Sequence, residues 1–288
     1  MNVQKSFSEE QNKGCLYLVG TPIGNLEDIS HRALRILKEA ECIACEDTRQ
    51  TRKLLTHFQI STRLISYHEH NKHTSGKEII RLIEQGSDLA LVSDAGLPVI
   101  SDPGNDLVKL AIESNISIIP IPGANAALSA FIISGLETDQ FTFCGFLPRE
   151  KKDKKEKIIE LADLAGSIIF YESPHRLINT LNVMYENWGN RQVSIAREIT
   201  KKYEEVIRGT LEECIRYISE IKVQGEYCIV VQGSTAKKER KDELWWSLMS
   251  IKEHVEHYMN LELDKKEAMK KVAGDRMVSK RDIYNHLL

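Results

Sequence analysis

The stretch LALVSDAGLPVISDPG, from Leu89 to Gly104, contains the residue types most suited to contact with a ligand. Its first four residues are apolar, a run that is short enough for a buried strand and too short for a helix. Small and acidic residues follow, and two prolines fix φ. Open α/β sheets build their ligand crevices from such tight turns at the carboxyl ends of strands. We therefore expect Asp94 to place a negative charge in a ligand site, whereas Asp102 either contacts the ligand or caps the next helix.

Other chemically capable groups favour neither a metal site nor a nucleotide phosphate site. His68, His70 and His73 lie on an extended segment, where a polar loop facing a substrate is favoured over a metal centre. Cys42 and Cys45 form a C-x-x-C inside a strand-like run, and no second pair follows at the spacing of zinc ligands, so core packing is favoured. The sequence also lacks the G-x-G-x-x-G and G-x-x-x-x-G-K-[ST] patterns of dinucleotide and triphosphate sites.

Composition sets limits on the partners. The 288 residues carry a net charge of −3, which supplies no general attraction to nucleic acid. Any contact with RNA must then come from local basic patches, of which Lys151–Lys157, with five lysines, is the most basic. No run is apolar enough for a signal peptide or a membrane span. The six cysteines mostly lie in apolar runs, which is typical of reduced thiols in a cytoplasmic protein.

Short apolar runs that end in polar or glycine-rich turns alternate with helical patterns along the chain. This alternation predicts two α/β domains, with ligand groups gathered at the strand ends and in the cleft between the domains. The predicted strands are 16–19, 42–45, 64–65, 89–92, 116–121, 141–146, 168–171, 193–196 and 226–231.

Changes of composition suggest where the domains begin and end. We expect a flexible tail over residues 1–13, an N-terminal α/β domain over 14–134 and a C-terminal α/β domain over 135–236. A helical appendage over 237–288 follows, with Trp245 and Trp246 as core anchors. Within it we expect a helix, a turn at Gly274 and a second helix that begins near Ser279.

The motifs at these strand ends occur in the order and spacing of one known family. They read VGTPIGN, EDTR, YHEHN, VSDAGLPVISDPG, IPGANAA, GFLPR, FYESPHR and AREITK. In this order the chain resembles the tetrapyrrole methylase superfamily, and within it the ribosomal RNA small subunit methyltransferase I group. The resemblance covers roughly residues 14–234. It implies two α/β domains with the cofactor in the cleft between them, and a helix-turn-helix-like C-terminal extension.

The resemblance also implies an activity. It is the S-adenosylmethionine-dependent 2′-O-methylation of a cytidine ribose in small-subunit (16S) ribosomal RNA, carried out by a homodimer. Separately, the small-residue strand ends and the absence of phosphate-loop and zinc patterns predict that the cofactor binds without a metal. Carried over position by position, the cofactor contacts fall on Ile23, Val92, Ser93, Asp94, Leu97, Asn125, Ala126 and Tyr171. Two positions depart from the family pattern, since many members have threonine at Leu97 and a proline followed by serine or cysteine at Ala124–Asn125.

Methylation of a ribose hydroxyl is helped by a general base or a positioning acceptor. Four carboxylates at strand ends are candidates, and each is equally suited to cap a helix or to form a surface ion pair: Glu46, Asp47, Glu172 and Glu198. Basic side chains fix the register of RNA through its phosphates. The candidates for this role are Arg49, Arg149, Lys151, Lys152, Lys154, Lys155, Arg176 and Lys201.

Two alternatives stay open. One is a methyltransferase that uses the same fold and cofactor on a tetrapyrrole or another small molecule, although EDTR and FYESPHR favour RNA. The other is a non-catalytic module that binds the ribosome, and the intact turns at the strand ends weigh against it.

Overall fold

The computed structural model describes residues 3–4, 13–235, 246, 249–261, 263–276 and 278–287. Most of the predicted N-terminal tail and the predicted core anchor Trp245 therefore lie outside the described residues. Contacts within the chain divide it into two compact units, Met1–Ser234 and Thr235–Leu288. Each unit is described by itself.

The first sheet of the larger unit is entirely parallel, with strand order β3-β2-β4-β1-β5. Because all five strands run the same way, their carboxyl ends meet at one edge, where the polar turns lie. The strands are β1 Cys15–Val19, β2 Cys42–Cys45, β3 Arg63–Ser66, β4 Leu89–Leu91 and β5 Ser117–Ile121. The helices are α1 His31–Glu39, α2 Thr48–His57, α3 Lys72–Glu84, α4 Asn105–Glu113 and α5 Ala126–Ile132.

Strand β2 shows how this sheet is buried on both faces. Cys42 and Ala44 pack with α3 and α4, whereas Ile43 and Cys45 pack with α1 and α2. Alternate residues of a strand point to opposite faces, so a continuous apolar run is what a sheet covered by helices on both sides requires. The two cysteines of the C-x-x-C therefore lie in different core layers, which confirms the predicted packing role.

The second sheet is mixed, with strand order β6-β7-β10-β8-β9. Only β6 and β7 pair in parallel, and the other neighbours are antiparallel. Its elements are β6 Phe141–Phe146, α6 Lys151–Glu160, β7 Ser167–Glu172, α7 Pro174–Trp188, β8 Gln192–Arg197, β9 Glu205–Thr210, α8 Leu211–Glu220 and β10 Tyr227–Gln232. The two sheets with their helices confirm the predicted α/β class.

Strand β9 is absent from the sequence-based prediction. Its sequence, EVIRGT, lies at the edge of the second sheet and none of its residues is fully buried. An edge strand with charged and half-exposed side chains lacks the apolar run by which the other strands are recognised.

The described residues of the smaller unit form three helices, α9 Ile251–Asn260, α10 Lys265–Asp275 and α11 Lys280–His286. Ser279 caps α11 as expected, but the predicted turn at Gly274 is wrong, because Gly274 lies in the last turn of α10. Trp246 stacks on the buried ring of His254 with centroids 5.3 Å apart, which gives it the anchoring role expected of it. Among the helices of the described residues, none has the length and apolarity to span a membrane.

Candidate active site

A cavity of about 390 Å³ is lined by loops that follow the strands of the first sheet and by strand ends and loops of the second sheet. This volume lies within the range of small-ligand sites. The first sheet contributes Ile23, Asp94, Ala95, Gly96, Leu97, Ile100, Ser101, Asp102, Asn125 and Ala126. The second contributes Phe146, Tyr171, Glu172, Ser173, Pro174, Ala196, Glu198, Ile199, Lys201, Glu226, Tyr227 and Cys228.

The turn after β4 is held against the loop after β1 by backbone hydrogen bonds. Thr21 N–H donates to the Gly96 carbonyl at 2.9 Å, and Gly96 N–H donates to the Thr21 carbonyl at 3.1 Å. Gly96 has φ +81°, and a Cβ there would lie 3.2 Å from Ile23 Cγ2, so this turn favours glycine. Ser93 and Val92 are buried behind the turn and do not line the cavity. These two predicted cofactor residues therefore support the turn from behind.

The N-terminus of α5 joins the two halves of the cavity wall. Asn125 Oδ1 caps this helix by accepting from Leu128 N–H at 2.9 Å. Tyr171, from β7, accepts at its hydroxyl from Ala127 N–H at 3.2 Å. Burial raises the pKa of Tyr171 to about 12, so its hydroxyl stays neutral. Six of the eight predicted cofactor residues line the cavity, namely Ile23, Asp94, Leu97, Asn125, Ala126 and Tyr171.

Two of the four candidate carboxylates do not line the cavity. Glu46 is exposed and is not among the residues that line the cavity. Asp47 caps α2 by accepting from Arg49 N–H at 2.8 Å, and it pairs with the Arg49 guanidinium at 3.0 Å. The hydrogen bonds from Arg49 hold the pKa of Asp47 below its usual range. Asp47 also donates its backbone N–H to Asp94 Oδ1 at 3.3 Å, so it positions a cavity residue.

Glu172 lines the cavity but its carboxylate is committed to the protein. It is only 2% exposed and accepts from Thr180 Oγ1 at 2.7 Å and from Ser173 N–H at 2.9 Å. The Arg176 Nε atom lies 3.2 Å from it. Both carboxylate oxygens are engaged in this way, so Glu172 is suited to organise its surroundings.

Glu198 also lines the cavity with its carboxylate already engaged. Its Oε1 accepts from Lys201 Nζ at 3.0 Å and from Glu226 N–H at 2.9 Å. Burial raises the pKa of Glu198, but the bonds from Glu226 and Lys201 outweigh it and leave the pKa below its usual range. Because its pKa is lowered and it is paired with Lys201, Glu198 is a weak base and is suited to hold the loop after β8 in place.

Asp102 is a carboxylate outside these four candidates. It lines the cavity and is half-buried, and no hydrogen bond to its carboxylate occurs within the part of the chain that the structure describes. Burial raises the pKa of Asp102 to about 6, with further contributions from the charges of Glu46 and Asp94. The capping alternative is wrong, because the residue that precedes α4 is Gly104 and no side chain caps that helix.

The basic candidates differ in exposure, and some of them pair with protein groups. Arg149, Lys151, Lys152 and Lys155 are exposed at the start of α6. Lys154, on the same helix, is 3% exposed and donates from Nζ to Asn179 Oδ1 at 2.5 Å. The prediction that Lys154 contacts RNA is corrected, because its buried ammonium is used inside the protein.

The other three basic candidates are paired with protein groups. Arg49 pairs with Asp47, and Lys201 bridges Glu198 and Glu226. Arg176 donates to the Leu147 and Pro148 carbonyls at 2.7 and 2.9 Å. Of the described residues, no group of three His, Cys, Asp or Glu side chains could hold a metal ion.

Comparison with known proteins shows which family this chain is similar to. The family model described as Tetrapyrrole (Corrin/Porphyrin) Methylases matches residues 15–215. Ribosomal RNA small subunit methyltransferase I of Halalkalibacterium halodurans is 56% identical over 285 residues, which cover 99% of this chain and 98% of that protein. The protein of the same name from Bacillus subtilis is 51% identical over 282 residues, 98% of this chain and 97% of that one.

Solved structures with similar folds are much more distant in sequence. A cobalt precorrin-4 methyltransferase superposes with a TM-score of 0.58 at 16% identity, over 75% of this chain and 94% of that one. Uroporphyrin III C-methyltransferase of Thermus thermophilus gives 0.54 at 15% identity, over 76% of this chain and 97% of that one. These two similarities concern the fold alone.

Proposed function

The chain belongs to the family of tetrapyrrole (corrin/porphyrin) methylases, and from that premise we propose that it methylates the ribose 2′-hydroxyl of a cytidine in small-subunit (16S) ribosomal RNA. The observation that carries the choice of substrate is the near full-length identity of 56% and 51% to proteins named for that RNA. The two tetrapyrrole methyltransferases compared above share 15–16% identity with this chain. The choice of a cytidine 2′-hydroxyl rests on the resemblance of the ordered motifs.

The cavity suits S-adenosylmethionine, the methyl donor of this activity. Ile23, Leu97 and Ala126 provide apolar wall for an adenosine, and the turn at Gly96 lets a ligand approach the backbone closely. Asp94 and Asp102 place negative charge in the same cavity, which complements a ligand that carries a sulfonium and an ammonium group. We assign the holding of the cofactor to Ile23, Asp94, Leu97, Asn125, Ala126 and Tyr171. When bound, S-adenosylmethionine supplies a methyl group that its sulfonium already activates.

The work left to the protein is to orient the ribose and to receive the hydroxyl proton. Orientation of two reactants can contribute about 7–11 kcal/mol. Asp102 is the carboxylate we assign to the proton, because it lines the cavity without a hydrogen bond from any described residue, whereas Glu172 and Glu198 are engaged. A pKa of about 6 leaves Asp102 ionised at neutral pH and still basic enough to accept a proton.

The exposed start of α6 is the surface we assign to the RNA backbone, and we call it the α6 basic patch (Arg149, Lys151, Lys152 and Lys155). Replacing all four residues with glutamine should reduce methylation of small subunits and flatten its dependence on salt, since each phosphate contact contributes to the salt slope. Cofactor affinity should stay unchanged, because none of the four lines the cavity.

A charge-matched control is available on the helices of the first sheet. Lys38, Lys53, Lys77 and Lys109 are also exposed, and their replacement with glutamine removes the same charge elsewhere. Methylation rates measured from 50 to 300 mM salt should separate the two variants. If the variants show equal salt slopes, the α6 basic patch is a solvated helix face and RNA enters elsewhere.

The proposed function is tested with purified protein, labelled S-adenosylmethionine and small ribosomal subunits that lack the modification. Digestion of the product RNA and mass spectrometry should find 2′-O-methylcytidine. A methyl group on a base would overturn the ribose assignment. Transfer to a tetrapyrrole but not to subunits would support the small-molecule alternative, and binding of subunits without transfer would support the non-catalytic module.

A cytoplasmic homodimer is also part of the proposal. All six cysteines are free thiols, as expected of a protein from a reducing compartment. Sedimentation should give about twice the chain mass of 32.8 kDa. An active monomer would contradict the dimer.

A further inference from the structure

Phe146 is a large apolar side chain left open at the edge of the cavity. It is the last residue of β6, and it lines the cavity while remaining 57% exposed. Single exposed apolar residues are common on protein surfaces. An exposed aromatic ring on the wall of a proposed substrate site is informative, because it leaves an apolar face available to a ligand.

A β-bulge in β6 determines where this ring points. The pairing of β6 with β7 shifts register between Phe143 and Gly145. In a regular strand, residues three apart face opposite sides of the sheet. The extra residue of a bulge changes that alternation. As a result both Phe143 and Phe146 contact the ring of Tyr171, with centroid distances of 5.1 and 5.6 Å.

The strand end that carries Phe146 is also fixed from behind. Arg176 holds the carbonyls of the next two residues, Leu147 and Pro148, and it is paired with the buried Glu172. Tyr171, which supports the Phe146 ring, is itself held by its hydrogen bond to Ala127 N–H. The Phe146 ring is therefore a positioned surface.

We propose that Phe146 is the stacking platform for the base of the nucleotide that is methylated. This inference rests on the proposed function, since it takes the substrate to be RNA. The base and the 2′-hydroxyl belong to one nucleotide, so a ribose in the cavity brings its base to the cavity wall or mouth. Proteins that recognise single-stranded RNA stack splayed bases on aromatic side chains. Ile100, also exposed, contributes apolar surface from the loops of the first sheet.

The test compares Phe146→Ala with Phe146→Trp and with the control Phe141→Ala. Phe141 lies on the same strand and is 47% exposed, but it packs on Phe131 and does not line the cavity. Loss of one stacked base should lower kcat/KM for small subunits by roughly 5- to 150-fold in Phe146→Ala. Phe146→Trp should retain most of the activity, and Phe141→Ala should match the wild type.

Calorimetry with S-adenosylmethionine separates base stacking from cofactor contact. An unchanged cofactor Kd in Phe146→Ala supports the platform, whereas a weaker Kd would overturn it by placing the ring against the cofactor. A changed sedimentation mass in Phe146→Ala would overturn it in favour of a protein interface. An unchanged kcat/KM in Phe146→Ala would refute the stacking role and leave the proposed function standing. A wild-type protein that methylates no ribosomal RNA would instead refute the proposed function.

Discussion

Replacement of Asp102 by asparagine should lower the kcat for methylation by roughly 100-fold or more at pH 7.5, the scale on which general bases act. Asparagine keeps the shape of the side chain and cannot take up a proton at this pH. The wild-type rate should fall as pH drops through about 6, where Asp102 becomes protonated. The rate that remains in Asp102→Asn should lack this step. A variant with wild-type kcat would remove Asp102 from proton transfer.

The same substitution should not destabilise the protein at neutral pH. Because the pKa of Asp102 is raised from 3.8 to about 6, the folded state holds this proton more tightly than the unfolded chain does. The folded state therefore loses stability as pH rises from about 4 through 6, and an uncharged asparagine does not contribute to that loss. Thermal unfolding at pH 7.5 should give a Tm equal to or above that of the wild type. A clear drop in Tm would mean that the carboxylate has a structural partner.

Asp94→Asn is the matched comparison within the cavity. Asp94 lines the cavity but already accepts from Asp47 N–H. We expect this variant to weaken the binding of S-adenosylmethionine in calorimetry and to keep a pH step that lies at lower pH, because the charge of Asp94 contributes to the raised pKa of Asp102. If Asp94→Asn abolished the pH step instead, the proton would belong to Asp94.

Local sequence chemistry predicted the turns that line the site because those turns are determined locally. Asp94 and Leu97 lie in the turn that follows the buried apolar strand β4, and parallel strands bring such turns to one edge. The other cofactor positions, including Tyr171 in the second predicted domain, were predicted from the resemblance of the motifs to the family. Strand β9 was missed because its side chains are half-exposed.

Contacts between distant segments account for what was not predicted. Lys154 belongs to a run of lysines, and such a run indicates a solvated surface. In the structure Asn179 and Thr180 of α7 accept hydrogen bonds from its ammonium group. The proton affinity of Asp102 depends on burial and on Glu46, which lies on a different loop. Phe146 faces the cavity only because a bulge interrupts β6. Pairing and burial of this kind become visible only once the fold is known.

Glu172→Ala should destabilise the larger unit by about 3–5 kcal/mol, because it removes the negative partner of two partly or fully buried cations. Arg176 lies 3.2 Å from the carboxylate, and the charge of Glu172 also stabilises the ammonium of Lys154, which is 3% exposed. The loss would extend to Thr180 and to the loop that Arg176 holds. Urea unfolding followed by fluorescence would measure the change, since Trp188 packs in the core of the second sheet.

Two further variants distinguish an organising Glu172 from a catalytic one. Glu172→Gln keeps an acceptor for Thr180 Oγ1 and should retain methylation in proportion to its folded fraction. Adding Lys154→Met to Glu172→Gln removes the ammonium that has lost its nearby negative charge and should recover part of the lost stability, because apolar replacement of a buried charge can be neutral or favourable. A Glu172→Gln protein that is fully folded but inactive would return this carboxylate to the proton-transfer step and leave Asp102 as a cofactor contact.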